Sequence, residues 1–219
     1  MKSTESQNPP EKFTSYYNLL DAFAAKGCPI CRRVNVTVHH YLDGLLYEHV
    51  NDPKVRENLR HSLGFCSLHA ARLIALGDGL GVGIIYRDLL LSLARKLQNW
   101  KGKDIKPERL CPACEVANDV AERAAHLFQN HFRDQDFQTA LCQSAPLCLQ
   151  HLVLVLAHLR GESEQKRLIE IQQTKLEGLD RVLSEFIRKH DYRFQEEGFT
   201  AEEASSWKQA VMLFVGQLP

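Results

Sequence analysis

The sequence predicts an all-α protein, a helical bundle built from two diverged copies of one unit. Three observations predict it. Apolar residues recur at three- and four-residue spacing along most of the chain. No stretch alternates convincingly as a strand would. Helix-boundary residues (Gly, Pro, Asp and Thr) fall between the periodic segments.

Phe13, Tyr16, Tyr17, Leu20 and Phe23 mark the first helix, which Gly27 ends. Val34, Val38, Tyr41, Leu42, Leu45 and Leu46 mark a second, running out of "CPIC". "NDP" at 51–53 is a turn that opens a helix with Pro at its first position. "GDGLGVG", Gly77 to Gly83, lacks the Lys-Ser/Thr of a P-loop and no strand leads into it, so a flexible connection between helices is expected. Ile85, Leu89, Leu93, Leu97 and Trp100 form an amphipathic helix. Leu168, Ile171, Lys175, Leu179, Val182 and Phe186 keep a similar spacing, with one long polar interruption, in a helix of about seven turns. "RKHDYRFQEE" reads as a solvated helix end of mixed charge. Thr200 and Glu203 form a capping box that opens a last helix carrying Trp207, Val211 and Phe214.

The copies show in the cysteines. "CPIC" (Cys28, Cys31) is followed by "GFCSLH" (Cys66, His69), and "CPAC" (Cys111, Cys114) by "PLCLQH" (Cys148, His151). The offset is 83 positions at the first cysteine (28 to 111) and 82 at Cys66 to Cys148 and His69 to His151. Six of the seven cysteines thus obey one pattern used twice. The expected organisation is a disordered N-terminus at 1–12, a first repeat at 13–103, and a second at 104–219 with two C-terminal helices, packed as one globular unit.

C-x-x-C at a helix start puts two sulfurs one turn apart on one face. C-x-x-H does the same from a second helix start. Two such ends converging give Cys₃His, a closed structural zinc set. Helix N-termini would hold the thiolates ionised. The predicted ligands are Cys28, Cys31, Cys66 and His69 in one copy, and Cys111, Cys114, Cys148 and His151 in the other. Two Zn²⁺ ions are expected. Pairing within each copy is the simpler arrangement, because a duplicated unit should once have folded alone. Pairing across copies, with CPIC meeting CLQH, is the alternative.

Other readings of these thiols stay open. A thioredoxin-type dithiol needs a βαβ context that is missing here. Zinc thiolates that oxidise and release the ion would make a redox or metal-responsive protein. Cys₃His can also hold an iron–sulfur cluster. Cys142 has no counterpart in the first copy and reads as an ordinary buried thiol. His39, His40, His49, His126 and His131 receive no role.

CPIC with "YLDGLLYEHVNDPKVRENLRHSLGFCSLHA" resembles an uncharacterised bacterial family known only as a domain of unknown function. The similarity extends over most of the chain, including "GDGLGVGIIYRDLL" and "TAEEASSWKQAV". The second copy departs from the family's GFCxxH, with Pro146-Leu147 in place of Gly64-Phe65. The resemblance implies a prokaryotic, stand-alone protein and supplies no activity.

Composition bounds the function. Apolar residues make up 44% and charged residues 25%; Lys+Arg and Asp+Glu are both 27, so there is no global field to draw nucleic acid or anionic lipid. The start of the chain lacks the apolar core of a signal peptide, and "LVLVLAHL" is far too short to span a bilayer. A cytoplasmic location follows as an expectation, in which thiols stay reduced or bind metal. No nucleophile–base–acid set stands out. The expected function is a non-enzymatic, metal-stabilised interaction module whose partner is another protein.

Overall fold

A computed structural model describes residues 13–102 and 105–216, apart from the side chain of Gln195. Among these residues every regular element is helical. The N-terminal stretch 1–12 lies outside the described residues, as does the repeat boundary at 103/104.

Helix α1 spans Thr14–Phe23. The first copy then supplies α2 (Pro29–Gly44), α3 (Pro53–Ser62), α4 (Ser67–Ala75) and α5 (Gly79–Gln98). The second repeats that order with α6 (Pro112–His131), α7 (Gln135–Gln143), α8 (Leu149–His158) and α9 (Glu162–Arg188). A final helix, α10, spans Ala201–Val215. Each copy is therefore a long CPxC helix, a short return helix, a short CxxH helix and a long closing helix. A π-turn at Leu45–His49 extends α2, and a 3₁₀ turn at Tyr192–Glu197 precedes α10.

The predicted boundaries mostly hold, for the expected reasons. Asp52 caps α3 by accepting from the backbone N–H groups of Lys54 and Val55, with Pro53 at the first position. Thr200 and Glu203 form the reciprocal capping box of α10, and Glu203 also pairs with Lys189 at 2.8 Å. Two expectations need correction. "GDGLGVG" is not a flexible connection: Asp78 accepts from Gly81 N at 2.9 Å and α5 starts at Gly79. A Cβ at Gly81 would run into that carboxylate, so glycine there lets the cap close. The apolar face of α5 is also buried only at its start. Ile85 is 1% exposed, whereas Leu93, Leu97 and Trp100 are 37, 53 and 61% exposed.

The described residues cluster as two compact units. One holds the residues up to Arg33 with those from Ala121 onward, and the other is Val34–Val120. The chain changes unit inside α2 and again inside α6. Each CPxC end therefore belongs to the unit built by the body of the other copy.

In the Val34–Val120 unit, the core joins Val38, Leu42 and Leu45 of α2 and its π-turn to Leu59, Leu73 and Ile85, and takes in Cys111 and Ala113. In the other unit the core is aromatic. Phe23, Phe128 and Phe137 pack edge to face at 5.1–5.8 Å. Lys175, which interrupts the apolar spacing of α9, has its ammonium bonded to Leu141 O and Ser144 Oγ, at the end of α7. Burial lowers its pKa to about 8.

Candidate metal centres

All four half-motifs lie at helix N-termini. Cys28 and Cys111 directly precede the Pro that opens α2 and α6, while Cys66 and Cys148 are the N-cap residues of α4 and α8. The first-turn bonds Arg32 N to Cys28 O, Ala70 N to Cys66 O, Glu115 N to Cys111 O and Leu152 N to Cys148 O fix each motif as one turn. Its two donors then face the same way.

The structure gathers all eight predicted residues into two Cys₃His groups. The pairing corrects the within-copy expectation. Cys28 and Cys31 meet Cys148 and His151, while Cys66 and His69 meet Cys111 and Cys114. Helix length is the reason. Residues 29–49 of α2 and its π-turn rise roughly 30 Å, and the ten-residue α3 returns only about half of that at 1.5 Å per residue. The ten residues of α3 are therefore too few to carry the CSLH start of α4 back to the CPIC of its own copy. The same mismatch separates CLQH from CPAC.

In the first group, Cys31 Sγ lies 3.6 Å from Cys148 Sγ. His151 Nδ1 lies 3.5, 3.3 and 3.2 Å from the sulfurs of Cys28, Cys31 and Cys148. In the second group, Cys66 and Cys114 sulfurs are 3.7 Å apart. His69 Nδ1 lies 3.2, 3.6 and 3.4 Å from Cys66, Cys111 and Cys114. None of the seven cysteines is in a disulfide. A disulfide would need about 2.05 Å between sulfurs. A tetrahedral zinc ion with Zn–S of about 2.3 Å and Zn–N of about 2.0–2.1 Å sets edges of about 3.8 Å between sulfurs and about 3.5 Å between sulfur and nitrogen. Both groups match those edges closely enough to hold such an ion.

Crowding sets the proton balance of these thiols. Hydrogen bonding to Cys148 and Cys31, with burial, pushes the Cys28 thiol far up, and the same network, together with His151, pulls Cys148 far down. Burial disfavours the His151 imidazolium, but hydrogen bonds to Cys148 and Cys31 outweigh it and raise its pKa to about 9. Burial and the charge of Arg72 lower His69. Burial pushes Cys66 up, but bonds from the backbone N–H groups at the start of α4 and from neighbouring thiols bring it down overall. Burial first, then its neighbours Cys111 and Cys66, raises Cys114 to about 12.

The two groups differ in cover. Cys28, Cys31 and Cys148 are buried, whereas Cys66 and Cys114 are half-buried. The extra cover comes from the end of α10. Gly216 takes φ +82°, and a Cβ there would stand 3.5 Å from Cys31 Sγ and 3.9 Å from Cys148 Sγ. The positive φ favours glycine, whereas the contact distances alone would admit a Cβ.

Cys142 belongs to neither group and is exposed, which corrects the expected buried thiol. Two residues missed in the sequence order the loops before the second half-motifs. Ser62 Oγ donates to Leu59 O and Gly64 O, and Ser144 Oγ donates to Leu141 O and Ala145 O. Both serines stand four residues before the half-motif cysteine, a register that the repeat alignment already contains. The departure at Pro146-Leu147 leaves the second loop anchored by Gln172, whose buried Oε1 accepts from Leu147 N at 3.0 Å.

No helix among the described residues is long and apolar enough to cross a membrane. A family model described as a family of unknown function (DUF6062) matches residues 15–109 and 101–218. The chain is 30% identical over 210 residues to an uncharacterized 23.9 kDa protein in the xynA 3' region of Caldicellulosiruptor sp. (strain Rt8B.4), covering 90% of this chain and 99% of that protein. No solved structure matches.

Proposed function

The chain belongs to the DUF6062 family of unknown function, and we propose that it is a zinc-clamped helical scaffold that docks another protein. One observation carries the reading: two Cys₃His groups, each joining the CPxC of one copy to the CxxH of the other, with tetrahedral donor spacing. Cys28, Cys31, Cys148 and His151 would hold one ion, and Cys66, His69, Cys111 and Cys114 the other. Each set fills four positions, so the ions would stabilise the fold rather than activate a substrate. Three thiolates and a neutral imidazole around Zn²⁺ leave one negative charge, which the helix N-termini offset. A reducing compartment, the cytoplasm, suits thiolates of this kind. The exposed Leu90, Leu93 and Leu97, at helical spacing along α5 with Trp100 beyond them, offer an apolar stripe to a protein partner.

The test is metal analysis of anaerobically purified protein with X-ray absorption at the zinc edge. Two equivalents of zinc are expected, with three sulfurs at about 2.3 Å and one nitrogen at about 2.0–2.1 Å. Less than half an equivalent of any transition metal would reject the reading. A brown protein carrying iron and inorganic sulfide would replace zinc by a cluster.

A second reading rests on the half-buried Cys66 and Cys114, 3.7 Å apart. Hydrogen peroxide would take two electrons from this thiolate pair: an S–S bond forms, the O–O bond breaks to two hydroxide ions that solvent protonates, and the metal ion is released. Under that reading, zinc release after peroxide tracks the loss of two thiols, and peptide mapping finds the new disulfide between Cys66 and Cys114. Release without thiol loss would exclude it.

A further inference from the structure

A third donor group lies apart from both thiol clusters. Glu122 and His126 sit one turn apart on α6, both exposed, beside the stripe of buried Ala121, Ala124, Ala125 and Phe128. His158, the last residue of α8, comes up against them. Its Nε2 is 3.1 Å from Glu122 Oε2, and its ring meets that of His126 edge to face at 4.7 Å. One donor atom from each of the three lies within 4.8 Å of the others.

We propose that Glu122, His126 and His158 form a third metal site, open to solvent, for a divalent first-row transition ion such as Zn²⁺. The orientation of His158 supports this. Its Nδ1 lies 2.9 Å from Leu154 O. A carbonyl only accepts, so Nδ1 carries a proton, and Nε2 is the ring nitrogen turned to Glu122 and free of any backbone bond, the one that a metal ion would take from the proton it otherwise shares with the carboxylate. A backbone carbonyl that holds the distal N–H of a ligating imidazole is the usual outer support of metal-bound histidine. The 3.1 Å between carboxylate oxygen and imidazole nitrogen fits two ligands about 2.1 Å from one ion, whose separation would be about 3.0–3.4 Å.

The donor chemistry separates this site from the clamps. Two imidazoles and one carboxylate suit Zn²⁺ and its first-row neighbours, and disfavour Ca²⁺ and Mg²⁺, which prefer oxygen alone. Three protein ligands leave positions for water. Glu122 and His126 are exposed, so an ion bound here would exchange readily. Ions enclosed by three thiolates would exchange slowly. The assignment does not depend on what the thiol clusters hold.

The competing account is an ordinary Glu122–His158 ion pair, with His126 beside it by chance. Titration of full-length protein, stripped of loosely held ions by a mild chelator, distinguishes them. Zn²⁺ is added and followed by calorimetry, and Co²⁺ by its visible spectrum. The expected result is one further equivalent, free of sulfur-to-metal charge transfer and removable while the thiol-held ions stay. His126→Ala, at an exposed position where folding is not at stake, should weaken it about tenfold or more, as should His158→Gln and Glu122→Gln. His39→Ala, at another exposed histidine, should leave it unchanged. No further equivalent, or one that survives both His126→Ala and His158→Gln, overturns the site and leaves an ion pair only.

Discussion

Stripping the thiol-held ions with a strong chelator, under reducing conditions, is expected to lower the melting temperature by roughly 10 °C for each site emptied. A ligand that binds only the folded state adds about 4 kcal/mol when its free concentration is a thousandfold above Kd. For a chain of this size each kcal/mol shifts Tm by about 2–4 °C. The effect should be large because each ion joins segments far apart in sequence, residues 28–31 to 148–151 and 66–69 to 111–114. Without it, three thiols and an imidazole remain crowded at each pair of helix ends with no ion to bridge them. Scanning calorimetry before chelation, after it, and after zinc is restored makes the comparison. Recovery with Zn²⁺ and not with Mg²⁺ is expected. A melting temperature unchanged within about 2 °C after complete removal would mean that the clusters do not stabilise the fold.

Cys114→Ala and Cys142→Ala should differ sharply. Cys114 is one of four donors around a single point, and its removal leaves a three-ligand site that should lose about one ion. Structural zinc contributes on the order of 10 kcal/mol in small metal-folded peptides. Part of that is lost here, offset by the packed core around Leu42, Leu59 and Leu73. The damage should appear in the Val34–Val120 unit, where the Cys114 group lies, as faster amide exchange in α4 and at the start of α6. Cys142 is exposed and outside both groups. Its replacement should change stability by no more than about 0.5 kcal/mol and leave metal content intact, as for other surface positions. Metal stoichiometry and calorimetry on the two variants provide the check. Loss of metal from Cys142→Ala with retention in Cys114→Ala would contradict the ligand assignment.

The eight cluster residues were legible in the sequence because they are local signals, repeated. C-P-x-C and C-x-x-H each describe one helical turn, and the second use at an offset of 82–83 makes coincidence hard to sustain. The pairing was legible only as the second of two alternatives, because it depends on how far α2 and α6 run before the short α3 and α7 return. That is a sum of element lengths, and the π-turn at Leu45–His49 adds to it without a clear sequence mark. Gly77 to Gly83 read as a connection because they match no phosphate-loop motif and hold four glycines in seven residues. Glycine is a poor helix former, but Asp78 caps the helix and the glycine at 81 leaves room for its carboxylate. Leu97 and Trp100 keep the period of a buried face yet stand in solvent, since periodicity shows which residues share a face and not what covers it. Cover likewise hid Cys142, whose neighbour Leu141 is fully buried while its own side chain points away from the core.

The central claim is that each metal site is assembled from both copies, and two double variants test it directly. Cys31→Ala with Cys148→Ala removes two ligands from one group, and Cys31→Ala with Cys66→Ala removes one from each. Zinc per chain is measured in both after anaerobic purification. The cross-copy arrangement predicts that the first variant keeps about one ion and the second keeps almost none, since loss of a single ligand opens a four-coordinate site. If the first variant loses both ions and the second keeps one, the sites close within each copy and the account is contradicted.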